Sequence, residues 1–121
     1  MQTLPVTHVV LLRPKPSLTA AEREALLDAM QHAFTSIAEI RRVRIGKRRQ
    51  LGRSYEAMMT GNYEFLCVIE FDDEAALRAY LDHPAHAELG RLFYVSSEAS
   101  LVYDFNMVEP DHIRELLDTA D

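Results

Sequence analysis

Two short runs decide most of what this chain can become: VTHVVLLR at residues 6–13 and NYEFLCVIEF at residues 62–71. Both read as β-strands. In the first, Val6, His8, Val10 and Leu12 share one face while Val9 and Leu11 occupy the other. In the second, Tyr63, Phe65, Cys67, Ile69 and Phe71 alternate with Glu64, Leu66, Val68 and Glu70. A strand that is apolar on both faces must be covered on both. Leaving such side chains in water would forgo roughly 1.5–3 kcal/mol apiece. Helices of the same chain can cover one face; a second copy, packed sheet to sheet in a symmetric homodimer, is the expected cover for the other.

The segments between these runs supply the helices. Thr19-Ala20-Ala21-Glu22 has the form of a capping box, and Leu26, Met30, Ala33, Phe34 and Ile37 follow it on one helical stripe. Residues 40–48 read as a weaker strand and 49–61 as a long polar connection. After the central strand, Asp72, Asp73 and Glu74 place a cap and first-turn acids before a helix whose buried stripe is Ala76, Leu77 and Tyr80. Pro84 interrupts this helix, a further helical segment runs through 84–95, and a last strand covers 99–107. Pro110 then opens a short helix with Ile113, Leu116 and Leu117 on one side. The order is β-α-β-β-α-β. It predicts an α+β, ferredoxin-like fold with a four-stranded antiparallel sheet and both long helices on one face. Residues 1–107 form this domain, which pairs into a dimeric α/β barrel, and 108–121 form a C-terminal helical extension.

At 121 residues the chain is one domain by length. Its net charge of −6 hides a segregation: residues 41–53 (RRVRIGKRRQLGR) hold seven of the thirteen basic residues and no acid. The overall acidity, and the lack of aromatics in that run, speak against nucleic acid as a partner. The run reads as a solvated flank or a local anion site. No apolar segment approaches the ~20 residues that span a bilayer, so no membrane partner is expected. The N-terminal residues show no secretory signal, and Cys67 is the only cysteine. A cytoplasmic protein is expected.

The stretch AYLDHPAHAEL, residues 79–89, carries the candidate chemistry. Tyr80, His83 and His86 admit three readings. In one, His86 sits near the start of a new helical turn, where the helix dipole favours neutral imidazole, and serves as a base while the Tyr80 hydroxyl stabilises an oxyanion. His8, on the first strand, would orient His86 or bind a substrate carbonyl. In the second, His83-Pro84 only breaks the helix, His83 caps it, His86 bonds to a backbone carbonyl beneath it, and Tyr80 and His8 are satisfied core residues. The third is a metal site, which the proline disfavours by turning the two histidines apart. No metal and no cofactor are expected.

These residues carry a resemblance. Over about residues 5–107 the sequence resembles the stress-responsive dimeric α/β-barrel (Dabb) family: His8 within THVVLLR, Gly46 at the end of the second strand, YEFLCVIEF, Tyr80-x-x-His83-Pro84-x-His86, and Val102-Tyr103-Asp104-Phe105. A plant branch of that family cyclises linear polyketides without metal or cofactor, using the tyrosine and the second histidine of this signature. The resemblance puts those roles on Tyr80 and His86. A further strand histidine that lines the pocket in that branch is replaced here by Phe65.

The sequence therefore leads to two expectations. The first is a homodimer that binds a small organic ligand, a carbonyl or polyketide-like compound, and acts on it as a cofactor-free cyclase, isomerase or lyase. His86, Tyr80 and His8 are its catalytic residues; His83 and Phe65 line the ligand pocket, and Arg44 of the basic run meets an anionic handle. The second is a non-enzymatic stress or assembly protein, with the C-terminal extension making contacts beyond the dimer.

Overall fold

Local hydrogen bonding sets where each helix begins. In the computed structural model, which describes residues 3–117, helix α1 (Ala20–Ser36) starts at Thr19, whose hydroxyl accepts the Glu22 amide at 3.1 Å while the Glu22 carboxylate accepts the Thr19 amide at 2.8 Å. The capping box is complete, and the carboxyl of Glu22 is held below its usual range by these bonds to Thr19. Helix α2 (Glu74–Asp82) starts at Asp73, whose carboxylate accepts the Ala76 amide at 2.8 Å. Helix α3 (Pro84–Ser96) follows at once, with Pro84 in its first turn.

Four strands complete the fold: β1 (Val6–Pro14), β2 (Arg42–Lys47), β3 (Phe65–Phe71) and β4 (Ser97–Asn106). They form one antiparallel sheet in the order β2-β3-β1-β4, the ferredoxin-like arrangement expected from the element order. The two runs that are apolar on both faces, β1 and β3, are the central strands, and Val9 pairs with Val68 across them. Strand alternation then sorts the side chains. His8, Val10 and Leu12 of β1 and Phe65, Cys67 and Ile69 of β3 face the helices. Leu26 and Ala33 of α1, Ile37 just after it, and Leu77, Tyr80 and Leu89 of α2 and α3 close the core above them.

Among the described residues no helix packs over the opposite face, where Met59 and Tyr63 of the connection stand beside Leu11 and Leu66. Two cross-strand rows, Val68-Val9-Tyr103 and Leu66-Leu11-Leu101, run over three strands, with Phe105 beyond them. Tyr103 and Phe105 are 52% and 49% exposed, and the sheet of a single chain is open rather than closed into a barrel.

Three expectations are corrected. The central strand starts at Phe65 rather than Asn62, because its ladders to β1 and β2 both begin at that residue. The polar connection contains a 3₁₀ turn, Ser54–Met58, closed by the Glu56 carboxylate, which accepts the Leu51 and Arg53 amides. The C-terminal extension forms 3₁₀ turns over Pro110–Leu117, kinked at His112, where one short regular helix was expected; residues 118–121 of the expected extension lie outside the described residues. No helix among the described residues is long and apolar enough to cross a membrane.

Candidate functional site

The site is built on the break between α2 and α3. Pro84 disfavours the α conformation for the residue before it, and His83 is accordingly extended at φ −72°, ψ 140°. Its amide donates to the Tyr80 carbonyl at 3.2 Å, ending α2, and its Nδ1 accepts the Ala85 amide at 3.0 Å, starting α3. One residue caps both helices. This is the role of the second reading for His83, and it takes Nδ1 out of ligand chemistry; His83 is not among the residues lining the cavity described below.

The break aims two rings at one place. Tyr80, in the last turn of α2, and His86, in the first turn of α3, meet edge to face with ring centroids 4.7 Å apart. Tyr80 is 2% exposed and packs on Phe71 at 5.2 Å, and its other edge meets the His8 ring of β1 at 5.8 Å. The three residues expected to act together are thus in contact.

They border a cavity of about 460 Å³ between helices and sheet, a volume suited to a small organic molecule. Its walls are mostly apolar: Val10 and Leu12 of β1, Leu26 and Met30 of α1, and Leu89 and Phe93 of α3. Phe65 lines it, as expected. Arg44 does not; it lies opposite Val68 on the uncovered face of the sheet, because its neighbour Ile45 is the β2 residue that points toward the cavity. Alternation along the strand thus puts Arg44 on the face away from the site.

A fourth polar group is one that the sequence reasoning left without a role. Asp104 stands directly across from His8 in the β1–β4 register, and its Oδ1 lies 2.6 Å from His8 Nδ1. A carboxylate only accepts, so Nδ1 donates, and the neutral tautomer carries its lone pair on Nε2. The buried His8 ring is thereby held in one orientation by a half-exposed acid. Val102-Tyr103-Asp104-Phe105 was legible as a motif, but only strand register identifies which acid faces His8.

Electrostatics separates the roles. Burial, and next the nearby His8, lower the pKa of His86 against a hydrogen bond with the Leu81 backbone that raises it. Burial raises that of the Tyr80 phenol, with a smaller contribution from Cys67. The phenol stays a donor at neutral pH and His86 stays neutral, an acceptor. Burial also pushes the Cys67 thiol up to about 11, far from a reactive thiolate. Among the described residues, no group of three or more His, Cys, Asp or Glu is placed to hold a metal ion.

Comparison with known proteins agrees with this architecture. The family model for the stress responsive A/B barrel domain, Dabb, matches residues 6–107. A dimeric ferredoxin-like protein of unknown function from Thermobifida fusca is 25% identical and superposes with a TM-score of 0.67, covering 88% of this chain and 93% of its own. A Dabb family protein from Mesorhizobium loti, 21% identical, superposes with a TM-score of 0.66 over 88% and 99% of the two chains. The hydroxynitrile lyase of Passiflora edulis, 18% identical, shares the fold with a TM-score of 0.74 over 89% and 97%. No curated protein sequence matches the chain.

Proposed function

Because the chain belongs to the stress responsive A/B barrel domain (Dabb) family, we propose that it is a homodimeric barrel protein that binds a small carbonyl compound, polyketide-like or aromatic, and turns it over by cofactor-free acid–base chemistry. The observation that carries this reading is the meeting of Tyr80, His86 and the Asp104-bound His8 on the wall of one largely apolar cavity. A core built for stability alone has no use for three titratable rings beside open space.

In the proposed reaction neutral His86 removes a proton from a carbon beside the substrate carbonyl. The Tyr80 hydroxyl donates a hydrogen bond to the enolate oxygen that develops. The carbanion then attacks a second carbonyl to close a ring, or regains the proton at another carbon in an isomerisation. His86 returns its proton in either case. His8, oriented by Asp104, presents its Nε2 lone pair to the cavity and accepts a hydrogen bond from a substrate hydroxyl or enol. The fold likeness to a hydroxynitrile lyase puts lyase chemistry among the reactions to assay.

The test is a thermal-shift comparison of wild type with the Tyr80→Phe, His86→Ala double variant against carbonyl-rich and aromatic acids. A compound that raises the melting temperature of wild type alone supports a working pocket and directs the search for turnover. Absence of any such compound, with the variant melting well below wild type, favours the second reading, an assembly protein in which these rings only hold α2 and α3 onto the sheet.

A further inference from the structure

Among the described residues the cavity has one permanent charge on its wall. Arg23 lines it from α1, one turn ahead of Leu26 and Leu27, which also line it. Spacings of three and four put these side chains on one stripe, so arginine continues an apolar face where leucine or alanine would serve packing better. The residue is exposed overall and touches the cavity, which places it at the mouth with its stem along the wall and its head reachable from both water and ligand. Leu27 and Leu81, which also line the cavity, are 52% and 37% exposed.

Arg23 is also uncommitted. Among the described residues Arg13, Arg41, Arg78 and Arg91 each hold an acid, whereas no ion pair involves Arg23. The neighbouring Glu22 is occupied by the Thr19 cap. Glu24, the next residue, is turned about 100° away around the helix.

We propose that Arg23 holds the carboxylate of an apolar monocarboxylic acid whose hydrocarbon body fills the cavity toward Tyr80 and His86. The inference rests on the cavity being the binding site, and it names the class of ligand: a carboxylic acid, engaged at the mouth by a planar, two-pronged donor. It also moves the anion-binding role from the basic run at 41–53, whose Arg44 faces the other side of the sheet, to a residue outside that run.

The test uses a matched pair of probes, naphthalene-2-acetate and its neutral primary amide, titrated calorimetrically into wild type, Arg23→Gln and Arg23→Lys at low salt. Glutamine is as good a helix former as arginine and the site is exposed, so the variants fold. The expected result is that Arg23→Gln weakens the acid about tenfold, equivalent to ~1.4 kcal/mol, and changes the amide less than about twofold, with Arg23→Lys between. Added salt weakens the acid in wild type and leaves the amide alone. Equal loss for both probes, or no loss for either, overturns the carboxylate assignment and leaves the cavity reading standing. Failure of both probes to bind wild type overturns this inference and the cavity reading together.

Discussion

His86 enters the cavity as a partly buried ring with a second histidine nearby, and both conditions oppose its protonation. Its folded pKa is therefore below the unfolded value of 6.5. The sign follows directly. Between the folded and unfolded values the unfolded chain binds more protons, so the stability this group contributes is complete above 6.5 and is lost as pH falls through the lowered folded value. Titration of the imidazole resonances by NMR should give His86 a midpoint below 6.5, and His8→Gln should move it upward by removing the histidine that opposes its protonation. The same midpoint sets the acid limb of any turnover that uses His86 as a base. Asp104 acts one step further out. Asp104→Ala strands the buried Nδ1–H of His8 and should cost about 1–3 kcal/mol in urea denaturation, while Asp104→Asn, which still offers an acceptor, should cost less. If the two variants were equally stable, the 2.6 Å contact would not be contributing as an acceptor for that buried donor.

At the scale of elements, the α2–α3 break shows why some of the site was legible in the sequence and some was not. Capping is local. Thr19 with Glu22, Asp73 with Ala76, and His83-Pro84 each act within three residues, so short motifs disclose them. The pairing of His8 with Asp104 spans 96 residues and depends on register between β1 and β4, which no short motif encodes. Arg44 lies off the cavity for another reason: seven basic residues cluster in one segment, but alternation within β2 turns Arg44 to the face opposite Ile45. The caps predict modest, separable effects. His83→Ala removes the acceptor for Ala85 and should destabilise by about 1 kcal/mol, with His83→Asn largely restoring it. Ligand binding should survive both, since His83 stands off the cavity wall. Gly90 lies inside α3 with nothing within 4 Å of an added Cβ. Gly90→Ala should therefore raise stability by up to about 1 kcal/mol through helix propensity, visible as a higher denaturation midpoint with unchanged slope.

At the scale of the whole molecule, the uncovered face of the sheet is the feature a single chain cannot resolve. Val68-Val9-Tyr103 and Leu66-Leu11-Leu101 form two rows across β3, β1 and β4, with the half-exposed ring of Phe105 beyond them. Burying such side chains is worth roughly 1.5–3 kcal/mol each, far more than a surface can leave unused when a self-complementary partner is always present. The structural relative from Thermobifida fusca is itself dimeric and of the same fold. Face-to-face pairing of two sheets would close the barrel and put the two cavities on its outside, each between its own sheet and helices. Val68 lies mid-row on a central strand, so Val68→Asp places a charge where the partner's apolar row would pack. Sedimentation should show wild type at twice the chain mass at micromolar concentration and the variant shifted to monomer, with a lower melting temperature that no longer depends on protein concentration. Wild type sedimenting as a monomer would instead require the two rows to be tolerated in water, and the homodimer would have to be abandoned. Because each cavity is lined within one chain, a monomeric variant that stays folded should still bind the naphthalene acid at Arg23. Loss of that binding on dissociation would mean that the partner subunit shapes the cavity from across the sheet.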